Sequence, residues 1–132
     1  MAGTASRGQL AAAISNAIVG IYSKHYGKGP TRAKTYLLDD LVVTVMQDVF
    51  TAVERTLVDA GKGEVVREVR TTFQYALREE FTGAIEAITG RQARGFLSQV
   101  DYHTDVAIEV FLLADGELDG VSEITDERPE AS

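Results

Sequence analysis

Two changes of period constrain this chain more than any other feature. Across residues 8–26 the apolar positions Leu10, Ile14, Ala17, Ile18 and Ile21, with Tyr22 and His25 following, recur at steps of three and four. That spacing predicts an amphipathic helix. Gly27 reads as the left-handed residue that ends it, and Pro30 bars a restart. Beyond Pro30 the residues become β-branched and aromatic with a step of two, so residues 31–38 and 41–47 read as a hairpin turning at Asp39-Asp40. Its second strand sets Leu41, Val43 and Val45 against Val42, Thr44 and Met46, apolar on nearly both faces.

The same order then repeats. Thr51 and Glu54 have the spacing of a capping box, so a helix opens there, runs to about Ala60 and breaks at Gly61-Lys62-Gly63. One longer helix is expected over residues 64–88, with Val66, Val69, Phe73, Leu77, Phe81, Ile85 and Ile88 as its buried stripe and Gly90 as its stop. Residues 91–113 read as a second hairpin with its tip at 101–105. In its last strand Val106, Ile108, Val110 and Leu112 alternate with Ala107, Glu109, Phe111 and Leu113.

Two such units predict an α+β two-layer sandwich in the order α-β-β-α-α-β-β, a four-stranded, mainly antiparallel sheet with the helices on one face. Strands apolar on both faces leave the other side of that sheet without cover. In a chain of 132 residues this predicts a partner sheet or subunit, with a homodimer as the first expectation.

The charge is uneven. Of 20 acidic and 13 basic residues, seven acids and one base fall after residue 114, leaving 13 acids and 12 bases in the body. Residues 1–7 are thus expected to be a flexible N-terminus, 8–114 a single domain, and 115–132 an acidic tail too poor in apolar residues to order itself. A net charge of −7 argues against nucleic-acid binding, which rests on Lys and Arg neutralising phosphates. The absence of cysteine excludes disulfides, thiolate metal sites and cysteine nucleophiles, and suits a reducing compartment. The longest apolar stretch, residues 11–22, is interrupted by Ser15, Asn16 and Gly20, whereas a spanning helix needs about twenty apolar residues. With no signal-peptide layout either, cytoplasmic residence without direct membrane insertion is expected.

Few residues carry chemistry. Arg67, Arg70 and Arg78, with Gln74 between, are expected on one polar stripe of the long helix, where they would receive an anion or an acidic partner; salt-bridging to Glu64, Glu68, Glu79 and Glu80 is the plainer alternative. Gly27-Lys28-Gly29-Pro30 follows a helix instead of preceding one, so Lys28 reads as a loop contact and not as part of a phosphate cradle. Asp101, His103 and Asp105 at the second tip have a spacing that suits a divalent cation, but side-chain hydrogen bonds of an ordinary turn explain them better. No catalytic set can be assembled from two histidines and no cysteine, so no enzyme activity, cofactor or metal is expected.

Considered together, several short motifs make the chain resemble the MpsC-type family of small bacterial domains, named after a sodium-translocating, membrane-potential-generating system. They are Tyr26-Gly27-Lys28-Gly29-Pro30 ending the first helix, Phe50-Thr51, Glu54 and Leu57 opening the second, Arg67 and Arg70 on the long helix, and Ile88-Thr89-Gly90 at its end. Asp101 at the second tip and Val110-Phe111 in the last strand complete the set, which spans about residues 8–113. Tyr102-His103 departs from the small Ser/Thr-rich turn usual at that tip.

The resemblance implies a soluble accessory protein that works beside membrane components of ion-translocating or inorganic-carbon uptake systems, and it transfers no catalytic residue. The expectation is a non-enzymatic, homodimeric interaction module with a membrane transport protein as partner. The alternative is an anion or small-molecule sensor using the arginine stripe.

Overall fold

The computed structural model describes residues 5–114; the acidic tail expected at 115–132 lies outside the described residues, as do the first four positions. Helix α1 (Arg7–Tyr26) opens where Ser6 accepts a hydrogen bond from the Gln9 amide while the Gln9 side chain accepts from the Ser6 amide. That capping box fixes the helix start one residue before the expected one. Gly27 closes the helix in the left-handed conformation at φ 76°. Strands β1 (Arg32–Leu38) and β2 (Leu41–Gln47) form the first hairpin, with Leu38 paired to Leu41 across Asp39-Asp40.

Helix α2 (Ala52–Asp59) starts on the Thr51–Glu54 capping box. The expected single helix over residues 64–88 is instead two, α3 (Gly63–Ala76) and α4 (Arg78–Thr89). They divide at Leu77, whose amide is shared between the Phe73 and Gln74 carbonyls and whose φ and ψ of −96° and 14° leave the helical range. The break lets each helix turn its own face inward. On α4 the expected stripe holds, with Phe81 and Ile85 fully buried. On α3 it does not: Val69 is 59% exposed, while Arg70 and Gln74 join Val66 on the buried side.

Strands β3 (Ala93–Asp101) and β4 (Val106–Leu113) form the second hairpin, with a bulge between Ala93 and Gly95. The sheet order is β1-β2-β4-β3 and every pairing is antiparallel, so one strand from each hairpin lies at the centre. Alternate strand residues are buried beneath α1, α3 and α4, which pack on the same face, while α2 packs against α3. An aromatic series runs through that layer: Tyr22 meets Phe81 edge-on at 6.2 Å, Phe81 stacks on Phe96 at 5.5 Å, and Phe96 meets Phe111 at 5.3 Å.

Two glycines of α1 give opposite expectations for the same substitution. A Cβ at either Gly20 or Gly27 meets nothing within 4 Å, so only backbone conformation separates them. Gly27→Ala should cost about 1–2 kcal/mol, because an L-residue is strained at positive φ. Gly20→Ala, in an exposed helix interior, should gain about 0.5–1 kcal/mol. Urea denaturation of the two variants checks this, and equal shifts of the same sign would contradict it.

Candidate functional site

The sheet has two unlike faces, and its register lays out each of them in rows. On the inner face, the row Thr35, Thr44, Glu109 and Ser98 crosses all four strands and is buried throughout. The rows beside it are apolar, with Met46, Ala107 and Val100 on one side and Val42, Phe111 and Phe96 on the other. A polar row inside a core must find its partners within the protein. It does so in part through Ser15, whose hydroxyl lies 2.8 Å from that of Thr35, which in turn lies 2.9 Å from that of Thr44.

Glu109 sits at the middle of this row. Tyr22 of α1 donates its hydroxyl proton to Glu109 Oε2, and the Gln74 amide nitrogen of α3 lies 2.6 Å from the same oxygen and 2.6 Å from the Tyr22 hydroxyl. Burial pushes the Glu109 carboxyl up to about 7, even though the Tyr22 and Gln74 hydrogen bonds favour its charged form. The Tyr22 hydroxyl is raised as well, by burial first and by Glu109 second.

One turn from Gln74, Arg70 is fully buried. Its guanidinium grips Glu54 at 2.7 Å through both Nε and Nη2, donates from Nη2 to the Val49 carbonyl at 2.7 Å, and lies 3.7 Å from the centre of the Tyr26 ring. Burial by itself would raise the Glu54 carboxyl, but the Arg70 fork and the Thr51 amide outweigh it and hold it below the ordinary carboxylate range. Glu54 thus caps α2 and also fastens α3 to it.

The arginines expected on one stripe are therefore separated. Arg67 forms an exposed pair with Glu64 at 2.8 Å, and Arg78 is exposed at the start of α4, beyond the Leu77 break. Arg70 points the other way, into the core, and cannot meet a solvent-borne anion. Lys28 donates to the Asp48 and Gly29 carbonyls, tying the loop after α1 to the end of β2. Asp101 accepts from the Thr104 hydroxyl at 2.7 Å and the His103 amide at 3.3 Å, and the His103 ring lies 4.6 Å from Tyr102. Asp105 accepts from the Val49 and Phe50 amides at 2.8 and 3.1 Å. Among the described residues no group of three acidic or histidine side chains is placed to hold a metal ion.

The outer face is of another kind. Its rows, read from β1 through β2 and β4 to β3, are Arg32-Gln47-Val106-Asp101, Lys34-Val45-Ile108-Gln99, Tyr36-Val43-Val110-Leu97 and Leu38-Leu41-Leu112-Gly95. Leu97 is 56% exposed, Leu38 54%, Tyr36 44% and Ile108 37%. No described element packs on this face, so its apolar block meets water in the isolated chain. Isolated exposed leucines are ordinary on a protein surface; a contiguous apolar block is not.

The sequence missed the buried cluster and found the open face. Glu109 has the same strand parity as Ala107 and Phe111, and Arg70 and Gln74 follow Val66 at four-residue steps; those were the signals for an inward polar set.

Glu109 gives a pH dependence with a definite sign. Its carboxyl ionises near 4.5 in the unfolded chain and near 7 in the fold. Stability is then intact below about 4.5, falls as pH rises through that interval, and carries the full penalty of about 3 kcal/mol above it. Glu109→Gln should raise stability at pH 8 and change it little at pH 4.5, as read by thermal melts; an equal effect at both would contradict the assignment. Arg70→Met should destabilise by about 3–5 kcal/mol, because Glu54 is left without its partner. The double variant with Glu54→Gln should recover much of that loss in denaturant titrations.

Comparison with known proteins adds one finding. A family model described as MpsC, Na+-translocating membrane potential-generating system, matches residues 6–115. No curated protein and no solved structure matches.

Proposed function

The chain belongs to the MpsC family, and on that premise we propose that it is a non-enzymatic accessory protein of an Na+-translocating assembly that generates membrane potential in bacteria. It acts from the cytoplasm, as an interaction module that works by protein contact. The observation that carries this reading is the open outer face, where ten of the sixteen positions are apolar side chains. A face of that composition is held dry by another protein surface.

Two further features support it. Among the described residues no helix is long and apolar enough to cross a membrane, so a role in ion translocation would run through membrane-embedded partners. The strongest polar groups are spent inside the fold: Arg70 on Glu54, and Glu109 on Tyr22 and Gln74. Arg70 is sealed from solvent, which removes the basis for an anion sensor built on Arg67, Arg70 and Arg78.

The test is physiological. Cells lacking this chain should lose the Na+-supported part of their membrane potential, read with a potential-sensitive dye in sodium and sodium-free media. The intact chain should restore it, and so should Arg67→Ala and Arg78→Ala variants. An unchanged potential in the deletion strain would contradict the reading, and failure of either alanine variant would restore an anion-binding alternative.

A further inference from the structure

We propose that the outer sheet face is occupied by a second copy of this chain, related by a two-fold axis that runs along the strands between β2 and β4. The inference rests on the reading of this chain as an interaction module and specifies what covers its open face.

The argument is self-complementarity. A two-fold along the strands keeps each row level and exchanges left for right, so β1 lies over the partner's β3 and β2 over the partner's β4. Row by row, Arg32 then faces the partner's Asp101 and Lys34 faces the partner's Gln99. Tyr36 faces the partner's Leu97, and Leu38 faces the partner's Gly95, over which Leu112 leans. In the middle of the interface Val45, Val43 and Leu41 lie over the partner's Ile108, Val110 and Leu112. The two charged corners, one basic on β1 and one acidic on β3, stand at the same end of the sheet, as this axis requires. Asp101 is already oriented there by Thr104 and the His103 amide.

The other face-to-face arrangement fails on the same residues. A two-fold across the strands would set Arg32 over the partner's Leu38 and Asp101 over the partner's Gly95, burying both charges without partners. Edge-to-edge pairing is impeded at one position on each side. Arg7 occupies the Leu37 carbonyl on β1, and the Tyr75 hydroxyl accepts from the Ser98 amide on β3. Residues 115–132 carry seven acids and are a poor match for an aliphatic surface.

Size agrees as well. Four strands about 4.8 Å apart and seven residues long present roughly 450 Å² of plan area per subunit. With side-chain relief counted, two such faces bury more than about 1,000 Å², the scale of a specific interface. Aligned sheets cross at about 30°, an offset that the long Arg32 side chain spans at the corner.

The test uses the full chain in two measurements. Light scattering at about 100 μM should give twice the 14.3 kDa chain mass. Leu97→Asp, at an exposed site, should keep its circular dichroism and weaken association by about a hundredfold or more. Because the chain has no cysteine, a short bismaleimide then reads the axis. The double variant Tyr36→Cys/Leu97→Cys should cross-link between subunits efficiently, and either single variant should not. A monomer, a Leu97→Asp variant that still dimerises, or efficient cross-linking of Tyr36→Cys alone would each overturn the proposal. A monomer in cells whose Na+-supported potential still depends on the chain would overturn the pairing and leave the functional reading standing.

Discussion

Four helices on one side of a four-stranded sheet bury one set of alternate residues and can do nothing for the other set. In this chain both sets are apolar at the sheet centre: Val42 and Met46 look into the helix layer, while Val43 and Val45 look out. The strand period is two, so no shift of register removes the conflict; it only exchanges the faces. The proposed association starts from this outer face, whose apolar side chains no described element covers. That constraint, more than any single side chain, sets the character of the outer face.

The helix layer answers a different constraint. A row of four polar residues across the inner face is costly unless the helices above it supply partners, and α1 and α3 do so from distinct places in the chain. Ser15 and Tyr22 come from α1, Gln74 from α3, and Glu54 is joined through Arg70. Buried polar groups of this kind contribute little net stability compared with an apolar core. Their effect is on geometry: α3 can turn only the face with Val66, Arg70 and Gln74 toward the sheet without leaving Glu109 and Glu54 unanswered. This accounts for the exposure of Val69 and for the separation of α3 from α4 at Leu77.

Most of the architecture could be read from periods and caps. The Thr51–Glu54 box, the stops at Gly27 and Gly90 and the limits of β2 and β4 stand where local chemistry places them, since each is decided within a few residues. What local pattern could not decide was which of two faces α3 buries. Val66 lies on both candidate stripes, and the choice depends on Glu54 and Glu109, which are distant in sequence. For the same reason Arg70 looked like a surface cation. The open sheet face was legible because alternation in β2 and β4 is apolar on both parities, whereas the level charged corners at Arg32 and Asp101 required the register.

The claim that this face is closed by association makes the fold's stability depend on how much of it is present. Calorimetry over a hundredfold range of chain concentration reads that dependence directly. A dimer that unfolds to single chains should show its melting temperature rising by about 5 °C across the range. A melting temperature that stays constant would mean the sheet's outer face is stable against water in a lone chain, and the account would fail.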